Sequence, residues 1–338
     1  MSELKVIGLD LAKSVFHTVG LDRHEKVVKR KMLKRARVLE WFAQVPPCVV
    51  AMEACAGAHH WARRLQALGH TVRLIPPQYV KAFLRGNKND FNDAQAIAEA
   101  ANRPTMRFVA VKTVAQQDLQ ALVRLRAAVV KERTATCNQL RGLLAEHGLV
   151  LPRGVAVMRK RLPELLEDAE NALTPLFREL LAQGQQRLKE LDEHIRFYDR
   201  QLDRQARTDE AVRRLDGIPG FGSVLACSFS ASVGDGTAYR RSRDVSAAHG
   251  LVPKQHSSGG KEVLLGISKR GDSYLRNLLI NGARAVLRQA ERKDDSLSQW
   301  ARKLRARRGY NVAVVALANK LARIGWAVAR HQSEYRAA

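Results

Sequence analysis

Lys5-Val6-Ile7-Gly8-Leu9-Asp10 is the stretch on which the reading of the fold turns. A short apolar run bounded by charge reads as a buried strand, and this one carries a carboxylate at its tip. Working outward, residues 15–21 read as a second strand, Asp22-Arg23-His24 as a turn, and residues 26–32 as a returning third strand. A helix is predicted over 36–44, stopped by Pro46-Pro47. Cys48-Val49-Val50-Ala51-Met52 gives another apolar strand, ending at Glu53. A helix over 59–68 closes at Gly69, and a fifth strand over 71–75 ends at Pro76-Pro77. A short helix around 79–84 leads to a polar loop over 85–89, after which Asp90 opens a helix to about residue 101.

Three strands as a meander, then helix, strand, helix, strand, helix, is the order of a ribonuclease H-like α/β fold. The pattern changes after residue 112. Residues 114–147 form a long amphipathic helical stretch rich in Arg and Ala. Further on, Phe177, Leu181, Gly184, Leu188, Leu191, Ile195, Tyr198 and Leu202 alternate spacings of four and three. That is a heptad seam with charged flanks. It suits a helical hairpin packing on the first stretch or a coiled coil between chains, and the sequence leaves both open. From about residue 208, Leu215-Asp216-Gly217-Ile218-Pro219-Gly220-Phe221-Gly222 is a Gly/Pro turn between helical stretches. It resembles a helix-hairpin-helix element, whose exposed backbone N–H groups suit a DNA phosphate. A polar loop over 250–261 follows, and helices over 273–289 and 312–330 close the chain. The expected division is residues 1–111, a helical coiled-coil region over 112–207, and a mainly α C-terminal domain over 208–338.

Charge narrows the function. The 338 residues carry 58 Lys+Arg against 33 Asp+Glu, a formal +25, which calls for a polyanionic partner. The cations are interleaved with helical patterns, so nucleic acid bound on folded surfaces is expected rather than a basic tail. Cys48, Cys55, Cys137 and Cys227 form no CxxC pair, which argues against a zinc site or a disulfide framework and fits a reducing cytoplasm. No signal-peptide pattern opens the chain, and no apolar run approaches the eighteen residues that a membrane span needs.

Four carboxylates stand where they can meet. Asp10 and Glu53 end two predicted strands; Asp90 and Asp93, three apart at a helix start, share a face. Hard Mg²⁺ or Mn²⁺ prefers such oxygens, and a pair of ions about 3.5–4 Å apart serves phosphoryl transfer. Taken singly, each acid has an ordinary reading: a strand-end Asp is a turn residue, and Asp90 is a helix cap. His59, His60 and Trp61 read as helix-start packing rather than ligands.

Gly8-Leu9-Asp10-Leu11-Ala12-Lys13, Met52-Glu53-Ala54-Cys55-Ala56-Gly57 and Lys88-Asn89-Asp90-Phe91-Asn92-Asp93-Ala94 resemble the three blocks of the DEDD transposases of the bacterial insertion sequence 110 family. Piv-type DNA invertases are related to that family, and its N-terminal domain resembles the RuvC Holliday-junction resolvase. Thr often stands in the family where this chain has Asn89. Residues 253–260 and Ile267-Ser268-Lys269-Arg270-Gly271-Asp272-Ser273-Tyr274-Leu275-Arg276 resemble the family's C-terminal block. On its own, Ser257-Ser258-Gly259-Gly260 is a flexible turn. The resemblance implies a serine nucleophile at Ser258, with Ser257 as the adjacent candidate. It implies a recombinase that cuts and rejoins donor and target DNA. It also implies assistance from a Mg²⁺-binding quartet of Asp10, Glu53, Asp90 and Asp93, in a site that two subunits could build together. It further implies an element-encoded guide (bridge) RNA, a homo-oligomer (dimer or tetramer), and a cytoplasmic, nucleoid-associated location. Two other functions compete: a RuvC-like structure-selective nuclease without a covalent intermediate, and a non-catalytic nucleic-acid-binding protein.

Overall fold

The computed structural model describes residues 4–84, 87 and 89–337. Arg85, Gly86 and Lys88 of the predicted polar loop lie outside the described residues. The chain forms two compact units, residues 1–113 and 114–338.

The first unit is built on a five-stranded mixed sheet. Its strands are β1 (Val6–Asp10), β2 (Val15–Leu21), β3 (Val27–Lys34), β4 (Val49–Glu53) and β5 (Thr71–Ile75), in spatial order β3-β2-β1-β4-β5. β1, β2 and β3 run antiparallel as a meander, and β4 and β5 run parallel to β1. Helices α1 (Val38–Ala43) and α2 (Ala58–Ala67) supply the crossovers, and a short α3 (Pro77–Val80) precedes α4 (Asp90–Ala101). Strand alternation sends Ile7, Leu9, Phe16, Val50 and Met52 into one core with Trp41, Phe42, Trp61 and Leu65. It sends Val6, Val19, Ala51 and Ile75 into a second core against Ala94, Ile97, Ala98 and Ala101 of α4. The third strand starts one residue later and ends two later than predicted, and a 3₁₀ turn, Arg35–Arg37, takes over the predicted start of the first helix.

Gly8 sets the distance between the sheet and α4. A Cβ there would stand 2.0 Å from the Ala94 carbonyl oxygen and 2.7 Å from the Ala98 nitrogen. The helix backbone therefore rests directly on β1, and the small Ala94 and Ala98 keep it there.

The second unit is helical apart from one hairpin. Its elements are α5 (Val114–Glu146), α6 (Val155–Glu167), α7 (Pro175–Thr208), α8 (Glu210–Asp216), α9 (Ser223–Val233), α10 (Ser242–Ala248), β6 (Pro253–Gln255), β7 (Leu264–Ile267), α11 (Ser273–Gln289), α12 (Ser296–Arg308) and α13 (Tyr310–His331). The heptad seam of α7 packs on α5 of the same chain. Leu181 and Leu188 share a core with Cys137, Leu140 and Leu144, and the side chain of Leu140 fills the space left by Gly184. Arg133 bonds Asp192 across the pair at 2.9 Å. Of the two pairings the sequence left open, the structure displays the intrachain hairpin. Helices α6, α10 and α12 and the β6–β7 hairpin were not anticipated, so three helices rather than two follow the hairpin. The Gly/Pro turn between α8 and α9 packs Gly220 against the backbone of Gly282 in α11 and buries Ile218 and Phe221.

Contrary to the expectation of no such segment, α13 is long and apolar enough to cross a membrane by length and composition alone. Its apolar side, with Leu317, Leu321 and Val328, belongs to the main core of the second unit.

Gly8→Ala is expected to destabilise the protein by about 1–3 kcal/mol, the usual cost of overpacking. Gly142 is exposed within α5, and a Cβ added to it would meet nothing within 4 Å. Gly142→Ala is expected to stabilise by roughly 0.5–1 kcal/mol from helix propensity. Urea unfolding of the two variants should therefore give shifts of opposite sign; a neutral Gly8→Ala would overturn the close-contact account.

Candidate metal centre

Asp10 and Glu53 end neighbouring parallel strands, Leu9 pairing with Met52 one residue before each. Because α4 lies directly on Gly8, its first turn reaches the same sheet edge. There Asp10, Asp90 and Asp93 each offer a carboxylate oxygen, all within 4.8 Å of one another. Asp10 and Asp93 are half-buried and Asp90 is exposed. Glu53 lies outside this tight group, but its carboxyl is pushed up by burial and then by the nearby Asp93. Asp10 and Glu53 thus both sit within the electrostatic reach of Asp93, at one sheet edge.

The Asp10 carboxyl is pushed up to about 6, first by burial and then by the charges of Asp93, Asp90 and Glu53. Crowded carboxylates with few donors near them are a poor arrangement for a protein by itself. They suit a hard divalent cation, which would be held by oxygen ligands from Asp10, Asp90 and Asp93 with Glu53 beside them.

Asp90 is not the helix cap. Asn89 is: its side-chain oxygen accepts from the Phe91 N–H at 2.9 Å. The Asp90 carboxylate is left to face the cluster. A Thr at position 89 would also cap, though less strongly than Asn.

His17 was missed in the sequence. It pairs directly with Asp10 across β1 and β2. Its Nδ1 lies 3.4 Å from Asp90 Oδ2, and its ring meets Phe91 edge-on with centroids 4.8 Å apart. Only the strand register could have pointed to it. The packing reading of residues 59–61 is what the structure displays. His59 Nδ1 accepts from the Lys112 N–H, His60 stacks edge-on with Trp61, and Trp61 packs on Phe16.

Ser258 belongs to the second unit. Ser258-Gly259-Gly260-Lys261 is a tight turn, closed by a Lys261 N–H to Ser258 carbonyl bond of 3.0 Å. Gly259 and Gly260 have φ of 56° and 78°. Two successive positive φ values make a type I′ turn, the connection whose twist matches a hairpin. The Ser257 hydroxyl accepts from the Val263 N–H at 3.2 Å. Ser258 is exposed, and among the described residues its hydroxyl has no hydrogen-bond partner. Behind the hairpin, Asp272 caps α11, accepting from Tyr274 and Leu275, and Arg276 ties the Arg270 and His249 carbonyls together. The hairpin roofs an apolar cleft of about 1150 Å³ against α13, lined by Leu251, Leu264, Ile267, Val312 and Trp326 among others.

Comparison with known proteins agrees with both ends of the chain. A family model described as "Transposase", of the DEDD insertion sequence 110 type, matches residues 7–148. A second, described as "Transposase IS116/IS110/IS902 family", matches residues 212–299. The chain is 49% identical over 334 residues to a "Probable family 20 transposase" of Pseudomonas aeruginosa, covering 98% of this chain and 99% of that protein. It is 48% identical to the "Transposase for insertion sequence element IS1111A" of Coxiella burnetii, covering 99% of this chain and 92% of that one. It is 44% identical to the IS1328 transposase of Yersinia enterocolitica, with 97% of each chain covered. A likeness of this extent, running from the acidic strand tip to the C-terminal helices, places the chain in the IS110/IS116 family of insertion-sequence transposases, enzymes that cut and rejoin DNA.

Proposed function

We propose that this transposase recombines donor and target DNA through a Mg²⁺- or Mn²⁺-binding quartet, Asp10, Glu53, Asp90 and Asp93, and a serine nucleophile, Ser258. The observation that carries the reading is the convergence of Asp10, Asp90 and Asp93 within 4.8 Å at the tip of β1. The N-terminal unit is read as RuvC-like, since its sheet order β3-β2-β1-β4-β5 is the one expected of a ribonuclease H-like fold. A divalent cation held there would supply charge neutralisation to the phosphodiester and its leaving oxygen. The residues of the chain would hold it: β1 and β4 bring Asp10 and Glu53 to one edge, and α4 presents Asp90 and Asp93.

For the serine, the free hydroxyl and the open glycine turn favour Ser258 over Ser257, whose oxygen is already engaged. The Ser258 oxygen attacks phosphorus, its proton passes to solvent or a base, and the bond to the leaving deoxyribose oxygen breaks. The strand stays linked to the protein until the reverse attack rejoins it. The helical region over 112–207 and the serine-bearing region over 208–338 are kept as separate domains in this scheme. A guide (bridge) RNA encoded by the element and a homo-oligomer complete it. The net charge of +25 is compatible with polyanionic partners. The α8–α9 turn is retained as a further DNA contact, and the cytoplasmic nucleoid as the place of action.

Mg²⁺ is expected to raise the unfolding temperature of the wild-type protein by several degrees. Asp10→Asn should unfold at a higher temperature than the metal-free wild type, because one crowded charge is gone, and should no longer respond to Mg²⁺. An unchanged Mg²⁺ response in that variant would refute the metal site without reference to catalysis.

Asp10→Ala, Glu53→Ala and Asp93→Ala should each cut recombination at least a hundredfold while leaving DNA binding within about twofold. Denaturing electrophoresis with labelled DNA, Mg²⁺ and the element's RNA should reveal a covalent protein–DNA adduct that Ser258→Ala loses. An adduct that survives Ser258→Ala but disappears in Ser257→Ala moves the nucleophile by one residue. A free 5′-phosphate with no adduct at all would mark a hydrolytic RuvC-like nuclease, and binding without cleavage a non-catalytic protein.

A further inference from the structure

The edge strand β3 is basic over its whole length. Residues 26–37 carry Lys26, Lys29, Arg30, Lys31, Lys34, Arg35 and Arg37, with no acid among them. Charge on an edge strand has a common explanation, since lysines discourage pairing with other chains. The placement here is more specific than that purpose requires, because the two faces of β3 differ.

On one face Lys29 and Lys31 lie over the Trp41 ring, 5.2 and 5.7 Å from its centroid. They cover the core beneath α1. The opposite face is the one that carries α4 and the acids. Asp10 pairs with His17, and His17 pairs with Met32, so the three form one row across β1, β2 and β3. Arg30 and Lys34 flank Met32 on this face by strand alternation. Arg30 is held there by a 3.3 Å bond from its Nη2 to Gln95 Oε1 of α4. That partner is neutral, and Lys34 has no carboxylate partner among the described residues, so both cations keep their charge for a ligand. Met32 between them is 62% exposed, leaving the row open to solvent.

Two strand spacings separate Asp10 from Met32, about 10 Å. Successive phosphates on one DNA strand lie roughly twice the 3.4 Å axial rise apart, so that is about one or two nucleotides. Four crowded carboxylates repel an approaching phosphate. Two cations one or two nucleotides away offset that repulsion on the same strand and set its direction across the sheet edge.

We propose that Arg30 and Lys34, flanking Met32 on the α4 face of β3, bind the phosphate backbone of the DNA strand whose scissile phosphate lies at the acidic cluster. The proposal rests on that cluster being the cutting centre, and its tests include one that does not.

The first test is the salt dependence of DNA binding by the full-length protein, with the double variant Arg30→Gln/Lys34→Gln beside Lys29→Gln/Lys31→Gln. The slope of log K against log salt should fall in magnitude by about two in the first, one phosphate contact per cation, and stay at the wild-type value in the second. Equal slopes in both variants, changed or unchanged, overturn the assignment, because charge on the edge would then act without regard to face. This test does not involve cutting, so it stands even where the acidic cluster proves not to be the cutting centre.

The second test places a photo-crosslinking amino acid at position 32. Adducts should map to DNA within about two nucleotides of the cleavage position. Adducts on the guide RNA, or on DNA far from the cut, overturn the proposal. Adducts on DNA together with Asp10→Ala protein that still cuts would leave the backbone contact in place and remove only the reading of the acids.

Discussion

The first unit depends on one close contact, the backbone of α4 lying on Gly8. Nothing but hydrogen fits between the Ala94 carbonyl and β1. Interiors are packed too tightly to absorb a methyl group at such a point without moving an element. A helix held at a fixed height has its first turn at a fixed place. The Asn89 cap then fixes where the helix begins. Together these two local facts bring Asp90 and Asp93 to the tip of β1, and neither fact involves a charged group. The acids are assembled by packing, and their mutual repulsion is borne by the cores beneath them.

That repulsion has direction. Asp10 is the one pushed up to about 6, while His17 and Phe91 close its flank on the β2 side. The folded state raises this pKa above its unfolded value, so the ionised cluster costs stability as pH rises through that range and the cost is absent at lower pH. A cation removes the cost by supplying the missing charge. Stability and the proposed metal binding therefore draw on the same acidic groups.

The sequence disclosed most where a strong apolar run met a hard stop. Residues 15–21, 71–75 and 90–101 form elements with the anticipated bounds, because charges, prolines and a cap frame them. It disclosed least where the pattern is weak. α12 carries five cations among thirteen residues, α10 has seven residues, and α6 contains Pro163, so none displays a long apolar period. β6 has three exposed residues and carries no strand signal of its own. The strand-end acids were legible one by one. Their meeting, and the presence of His17 among them, came from register and packing, which are tertiary. The heptad spacing was clear, but its partner was not: the same seam serves a neighbouring helix or a neighbouring chain, and it is the fit of Leu140 into the gap at Gly184, the shared leucine core and the Arg133–Asp192 bond that identify α5.

The serine hairpin illustrates how a weak local signal gains meaning from backbone geometry. Paired serines before paired glycines read as a flexible turn. In the structure both glycines take positive φ, which other residues adopt at a cost, and nothing lies within 4 Å of where their side chains would be. A type I′ turn is a defined shape, so the glycines specify the hairpin tip and at the same time leave it bare. The two serines then separate by register. Ser257 spends its hydroxyl on the Val263 N–H of the returning chain, which holds the hairpin together. Ser258 closes the turn with its backbone, which leaves its side chain uncommitted. Neighbouring residues of one type thus divide into a structural and an available hydroxyl, and the division follows from which of them lies inside the turn.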